Sequence, residues 1–481
     1  MPPTSTAAPG AFALTDASAR RLRGRVEVAL RRARRGRAGG VLATVTVPAP
    51  HDADPTAVAV ASRAGGEPWF AFEQPAREGA ALATLGAAMR IAASGSARFR
   101  EVSARWRDAI ADAACDTSDG PRGSGLVAVG GFAFAPDGGA VPHWSGFPPA
   151  LLEVPEVALA RRADEVRLTL AALVGPDDDP DEVTARLVER AAALRQAPLP
   201  LLDPDPARSC RVVSAMPPEH YEAAVAAAVE RIRAGGLDKI VLAREVQVHA
   251  PGSHDAAAIL GVLREAFREC HVLAVGRGAD VLLAASPELL VRREGLRAGT
   301  LALAGSTRRS ADPAVDGHLG EQLLRSEKDR EEQAIVTRRI VSALRPHSLW
   351  VTPADEPVLA RIANIQHLAT PIRAQLREPI SVIDLAGLLH PTPAVGGEPL
   401  AAAAPLIPAL EGLDRGWYAG PVGWVDEHED GELCVALRCA LLTGSVARCF
   451  AGVGVVRDSD PAAELAETEI KLQALLPLLA A

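Results

Sequence analysis

Asp238-Lys239-Ile240-Val241-Leu242-Ala243-Arg244 sets one lysine at the start of an apolar run. Gly235-Gly236 just upstream closes a helical pattern, so the chain turns there and a strand is expected to begin at Lys239. Ile240, Val241 and Leu242 form the short, largely branched run that a sheet can bury on both faces. Lys239 is thereby carried toward an interior where a charged ammonium is costly. Burial disfavours the charged form of an amine, and a neutral amine can act as a general base. The same residues also allow a plainer arrangement, a strand-edge lysine whose stem lies on apolar surface while its head reaches water.

Working outward, Pro217-Pro218-Glu219 is a helix start, and Tyr221, Val225, Val229 and Ile232 recur at helical spacing behind it. On the other side, Val281 to Ala285 reads as a buried strand running into Ser286-Pro287-Glu288. A carboxyl group desolvated at the end of such a strand stays protonated to higher pH, so Glu288 could donate a proton. Taken alone, Glu288 could equally be a surface acid; opposite Lys239 it becomes half of an acid-base pair.

Composition agrees with an enzyme. The chain has 481 residues, 48% of them hydrophobic, enough for a sizeable core. Alanine and arginine are abundant and aromatics only 4%, which reads as a GC-rich coding bias. A net charge of -9 gives no global attraction for nucleic acid or an anionic membrane, so neither is expected as a partner. An anionic substrate must then be held by local positive charge. The six cysteines show no CxxC pair and no zinc spacing with histidine, a pattern that suits the cytoplasm. No apolar run approaches the roughly 20 residues of a spanning helix, and no signal peptide is visible.

Residues 1–40 are expected to form a flexible, Arg-rich N-terminal arm. Within it Met1 to Gly10 reads as disordered, and the arginines from Arg20 to Arg37 as a solvated helix face. Residues 41–208 are expected to form an N-terminal half without a catalytic constellation, with strands at Val41 to Val47 and Leu126 to Phe134, a helix from Ala80 to Ala93, and a turn from Pro176 to Asp181. Residues 209–481 hold the catalytic region and share one structural unit with 41–208.

Two helices carry acids on their apolar faces. In the helical run from Leu323 to Leu344, the stripe Leu344, Ile340, Val336 extends back onto Glu332 and, three residues earlier, Asp329. A second helix, opened by Asp460-Pro461, carries Glu464, Glu467, Lys471, Leu475 and Leu478. Carboxylates on a buried face need a cation or hydrogen-bond donors. Facing each other, these helices would make an all-oxygen site suited to Mg²⁺; a pair of salt-bridged helices would satisfy the same pattern.

From Ser214 to Leu479 the motifs DKIVLAR, SPELL, LAGSTRR, SEKDREE, HLATP, LLHPTPAVGG, WYAGPVGW, ALRCALL, FAGVGVV and ELAETEIKL follow one another. In this set and order the chain resembles the chorismate-utilising enzymes, which include isochorismate, salicylate, anthranilate and aminodeoxychorismate synthases. The resemblance implies an α+β fold of the anthranilate synthase component I type. In that fold two large antiparallel sheets pack face to face with helices outside, and the active site lies between them. It also implies roles. Lys239 and Glu288 are the catalytic base and acid. Glu332 and Glu467 bind Mg²⁺ directly, with Asp329 and Glu464 as water-mediated or outer ligands. The ion would bind the ring carboxylate of chorismate. Arg438, Lys471 and the backbone around Gly452 to Gly454 would hold the enolpyruvyl carboxylate, while Gly305, His367 and Tyr418 line the pocket. Gln333 stands where many members have His, and Ala302 where proline is frequent; neither change removes a catalytic group.

Within the family the nucleophile decides the reaction. Anthranilate synthases usually carry glutamine at the position of Lys239, and the covalent lysine of one aminodeoxychorismate synthase group is Ala304 here. Lys239 with Glu288 is the water-adding pattern. It implies an isochorismate synthase of menaquinone or siderophore type, with no glutaminase subunit. Salicylate synthase is the alternative, then anthranilate synthase component I, and outside catalysis an inactive chorismate-binding protein.

Overall fold

The structure is a computed structural model that describes residues 10–36, 39–116, 119–202 and 209–480. The disorder expected over Met1 to Gly10 therefore lies outside the described residues but for Gly10, as does Arg37.

Among the described residues two antiparallel sheets organise the chain. The first has 12 strands. It runs from Val41–Pro48 through Glu165–Val174, Val157–Arg162, Ala80–Leu85 and Trp69–Gln74 to His271–Arg277. It continues through Asp280–Ser286, Cys439–Thr443 and Val446–Val455 to Lys239–His249, which also pairs with the short strands Gly397–Glu398 and Arg211–Ser214. The second sheet has 10 strands, among them Arg297–Arg308, Ile365–Leu376, Leu289–Glu294, Gly431–Val435, Pro421–Asp426 and Val127–Phe132.

Alternation explains why the first sheet reads as solid apolar runs. Along Asp280–Ser286, Leu282 and Ala284 enter the core between the sheets, where they meet Val129, Val422 and Leu433 of the second sheet. Leu283 and Ala285 point to the opposite face, into a core covered by the helices Asp16–Ala33, Pro55–Ser62, Pro180–Ala192 and Ala256–Ala266. Both faces are buried, so the polar half of the usual alternation is missing.

Four expectations are corrected here. Ala80 to Ala93 is not a helix but two strands, Ala80–Leu85 and Met89–Ala93, separated by Gly86 at φ +70°. Alanine's helix preference is a weak prior, and pairing with strands on both sides of Ala80–Leu85 overrides it. The run from Leu323 to Leu344 is not one helix. Pro313–Arg325 ends and Glu327–Leu344 begins at Ser326, whose hydroxyl accepts the Asp329 amide at 3.3 Å. The flexible arm over residues 1–40 gives way to a packed helix over Asp16–Ala33. Leu22, Val26, Ala29 and Leu30 are buried, and Arg23 and Arg25 pair with Asp181 and Asp116. The solvated arginine face is present on that helix. The second acid-bearing helix is shorter than its stripe, ending at Leu472, with Leu475 in the following turn and Leu478 in the short helix Leu476–Leu479.

Candidate active site

Helix Pro218–Arg233 buries Tyr221, Val225, Val229 and Ile232 against Ile240 and Leu242, turns at Gly235 (φ +78°) and delivers Lys239 as the first residue of its strand. Lys239 is fully buried, which excludes the snorkelling arrangement. Its Nζ lies 2.8 Å from Glu332 Oε1 and has no well-aligned hydrogen-bond partner in the protein. An ammonium has three donors, so positions remain for a ligand.

Glu288 lies just past the end of strand Asp280–Ser286, held by its backbone. Its amide donates to Ser286 Oγ at 3.2 Å, and its carbonyl accepts the Val435 amide at 3.0 Å. Burial pushes its carboxyl up to about 8, against the opposing charges of Lys239 and Lys471 and a hydrogen bond from Thr392. That hydroxyl sits 3.4 Å from Oε1. Glu288 is thus protonated at neutral pH, as an acid catalyst must be.

A single cavity of about 80 Å³ brings together Glu288, Glu332 and Glu467 with Gly305, His367, Tyr418, Arg438, Gly452, Gly454 and Lys471. Lys239, Asp329 and Glu464 do not line it; Lys239 lies behind Glu332, its ion-pair partner. Arg438 adopts φ +49°, and its Nη2 lies 2.6 Å from His367 Nε2 while Nη1 has no partner. A guanidinium can only donate, so His367 Nε2 accepts and Nδ1–H donates to Gly305 O at 3.1 Å. Burial, then Arg438 and Lys471, hold His367 well below its ordinary range, so it stays neutral. Lys471 Nζ reaches Gly452 O and Glu467 Oε1, each at 2.9 Å. The Tyr418 ring stacks on Phe450, with centroids 5.2 Å apart.

Two glycines are required by close approach. A Cβ on Gly454, which pairs with Val241, would fall 2.2 Å from Glu332 Oε1 and 2.8 Å from Lys239 Cε. On Gly305, at φ +70° in a bulge, it would fall 2.9 Å from Asp329 Cβ. Gly454→Ala is expected to displace the lysine and lower kcat by about 10²-fold, the scale of an ångström-sized misplacement. Steady-state kinetics on the folded variant checks this, and an unchanged kcat would contradict it.

The four acids are partly compensated by the chain itself. Glu332 pairs with Lys239, Glu467 with Lys471 and Ser306 Oγ (2.6 Å), and Glu464 with Lys328 at 2.9 Å. Asp329 bonds Ser326. Among the described residues no three such side chains already converge as a metal-ligand cluster. The donor set nonetheless fits a hard cation, being all carboxylate oxygen. Burial first, with repulsion from Glu332 and Glu467 set against the Ser326 hydrogen bond and Lys328, raises the Asp329 carboxyl. Gln333 turns away, donating to Ala302 O and Thr370 Oγ1 at 3.0 and 2.9 Å, and ties its helix to the second sheet.

Ser306, Lys328 and Thr392 are contacts that sequence reading left out. Ser306 and Thr392 stand inside LAGSTRR and LLHPTPAVGG, beside residues of evident interest, but no periodicity singles them out.

A family model described as chorismate binding enzyme matches residues 29–480. The chain is similar to the salicylate biosynthesis isochorismate synthase of Pseudomonas aeruginosa. The two are 38% identical over 414 residues, covering 86% of this chain and 85% of that protein. It is 35% identical over 355 residues to the isochorismate synthase MenF of Bacillus subtilis, covering 74% and 75% of the two chains. Among solved structures, MenF of Escherichia coli, the menaquinone-specific isochorismate synthase, superposes with a TM-score of 0.76 at 27% identity. That match covers 95% of this chain and 99% of the other.

Proposed function

The chain belongs to the chorismate-binding enzymes, and from that membership we propose that it converts chorismate to isochorismate. The observation that carries this reading is the burial of Lys239 beside a Glu288 that holds its proton at neutral pH. Lys239, as the uncharged amine, would take a proton from water as the water oxygen bonds to ring C2. Glu288 would give its proton to the C4 hydroxyl, which leaves as water while the ring double bonds shift. One water enters and one departs, so the reaction is an isomerisation. Arg438, with its unpartnered Nη1, and Lys471 would hold the enolpyruvyl carboxylate, beside the backbone of Gly452 to Gly454. Tyr418, Gly305 and the neutral His367 would shape the ring pocket.

Glu332 and Glu467 would hold Mg²⁺, with Asp329 and Glu464 behind them; the ion supplies positive charge for the ring carboxylate. Glu332→Ala or Glu467→Ala is expected to weaken Mg²⁺ binding by more than the roughly 10–100-fold typical of losing an outer-shell partner. Calorimetric titration with Mg²⁺ reads this without turnover, and an unchanged curve in both variants would remove these ligands.

In HPTPAVGG and WYAGPVGW the pathway reading is menaquinone synthesis; the likeness to the P. aeruginosa protein, named for salicylate biosynthesis, supports a route toward salicylate instead, and a siderophore pathway stays the second reading. The cytoplasmic location belongs to the same proposal, supported by six unpaired cysteines, four of them buried. Among the described residues no helix is long and apolar enough to cross a membrane. Water needs no delivery subunit, so no glutaminase partner is proposed.

Product analysis after incubating the protein with chorismate and Mg²⁺, with and without ammonium, tests the function. Isochorismate without pyruvate is the expected result. Salicylate with pyruvate would move the enzyme to the lyase branch, anthranilate in the ammonium sample would overturn the role of Lys239, and no product would leave a binding protein.

A further inference from the structure

The strand that begins at Lys239 has an outer edge that its neighbours cover only in part. Gly397–Glu398 pairs with Ile240 and Lys239 alone, and the Val241 amide still reaches Gly396 O at 2.7 Å. Beyond that point two side chains take over the ladder. The Ala243 amide donates to Glu411 Oε1 at 2.7 Å, and Arg415 Nη2 donates to Val241 O at 2.9 Å. Arg415 also grips Glu411, with Nε 3.0 Å from Oε2, and its Nη1 donates to Val395 O at 2.8 Å. Its guanidinium lies 4.2 Å from the Phe134 ring centroid and 5.7 Å from that of Tyr418. The pair is fully sequestered, with side-chain exposures of 3% for Arg415 and 0% for Glu411.

Removing two charges from water is expensive, and a buried ion pair seldom stabilises a fold better than apolar residues of similar volume. What this pair supplies is geometry. Val241, Val395 and Tyr418 all line the cavity of the active site. Val241 is two residues from Lys239, and Val395 is three residues from Thr392, whose hydroxyl contacts Glu288. We propose that Glu411 and Arg415 are positioning residues that hold the strand of the base and the loop contacting the acid at a fixed separation. This rests on the acid-base reading above. Neither residue lines that cavity, and the anion-holding groups Arg438 and Lys471 lie on other segments.

The test replaces both charges at once, Glu411→Leu with Arg415→Met, so that no unpaired charge is left buried. The folded protein, counted by its binding of chorismate, is expected to lose about 10²-fold in kcat while its KM stays within about threefold. Arg415→Lys keeps the charge but cannot bridge two carbonyls and a carboxylate in one plane; it is expected to fall between the double variant and the wild type. A folded double variant with wild-type kcat would overturn the role. If the double variant does not fold, Arg415→Lys decides alone, since wild-type kcat there would equally overturn it. Wild-type protein that fails to turn over chorismate would overturn the functional reading instead, a result distinct from equal turnover by wild type and variant.

Discussion

Lys239→Ala is expected to lower kcat by about 10²–10⁴-fold, the range that a positioned general base contributes. The structure adds a second effect. Lys239 is the ion-pair partner of Glu332 at 2.8 Å, and both side chains are largely out of water, with exposures of 0% and 11%. Truncation leaves that carboxylate without its cation, and breaking a buried pair from one side costs about 3–5 kcal/mol. The variant should therefore unfold at a lower temperature as well as turn over slowly. Lys239→Gln in place of alanine fills the volume and donates a hydrogen bond to Glu332 but takes up no proton. It should recover part of the stability and none of the rate. Thermal unfolding and single-turnover kinetics on both variants check this, and a Lys239→Gln protein with near-wild-type kcat would remove the base assignment.

Glu288→Gln is expected to lower kcat by a similar 10²–10⁴-fold with little change in stability or in chorismate KM. Burial raises the Glu288 carboxyl from 4.5 to about 8, so at neutral pH the native side chain is the uncharged acid. Glutamine matches its shape and charge and can still meet Thr392, but has no proton to give. The same shift fixes the direction of the pH dependence. Below about 8 the acid is loaded; as pH rises through that value it ionises and kcat/KM falls. The groups acting on it are Lys239, Lys471 and Thr392, which all pull the other way and are outweighed by burial. The residual rate of Glu288→Gln should lack this alkaline limb. A limb near 8 that survives in the variant would belong to another group.

Much of the site could be read from sequence because its residues stand at ends of regular elements. Lys239 opens a strand after a glycine-closed helix, Glu288 follows a strand, and Glu332 and Glu464 fall on helical stripes that become buried. What stayed hidden was set by tertiary contacts. Ala80 to Ala93 is helical by composition and becomes two strands because neighbours on the sheets claim its backbone. The break at Ser326 carries neither glycine nor proline; its one local signal is a serine three residues before an acid, the spacing of a capping interaction. Glu467 and Lys471 stand one helical turn apart and their pairing could be read from the stripe, but Lys239 with Glu332 and Lys328 with Glu464 join distant segments that no spacing links.

The central claim is that water, activated at Lys239, becomes the new ring hydroxyl. Turnover of chorismate by the wild-type protein in H₂¹⁸O, stopped at low conversion, tests it most directly. Isochorismate carrying one ¹⁸O atom at C2 is the predicted product. Unlabelled isochorismate would mean that the hydroxyl migrates without leaving, and would contradict the assignment of Lys239 and Glu288 as base and acid.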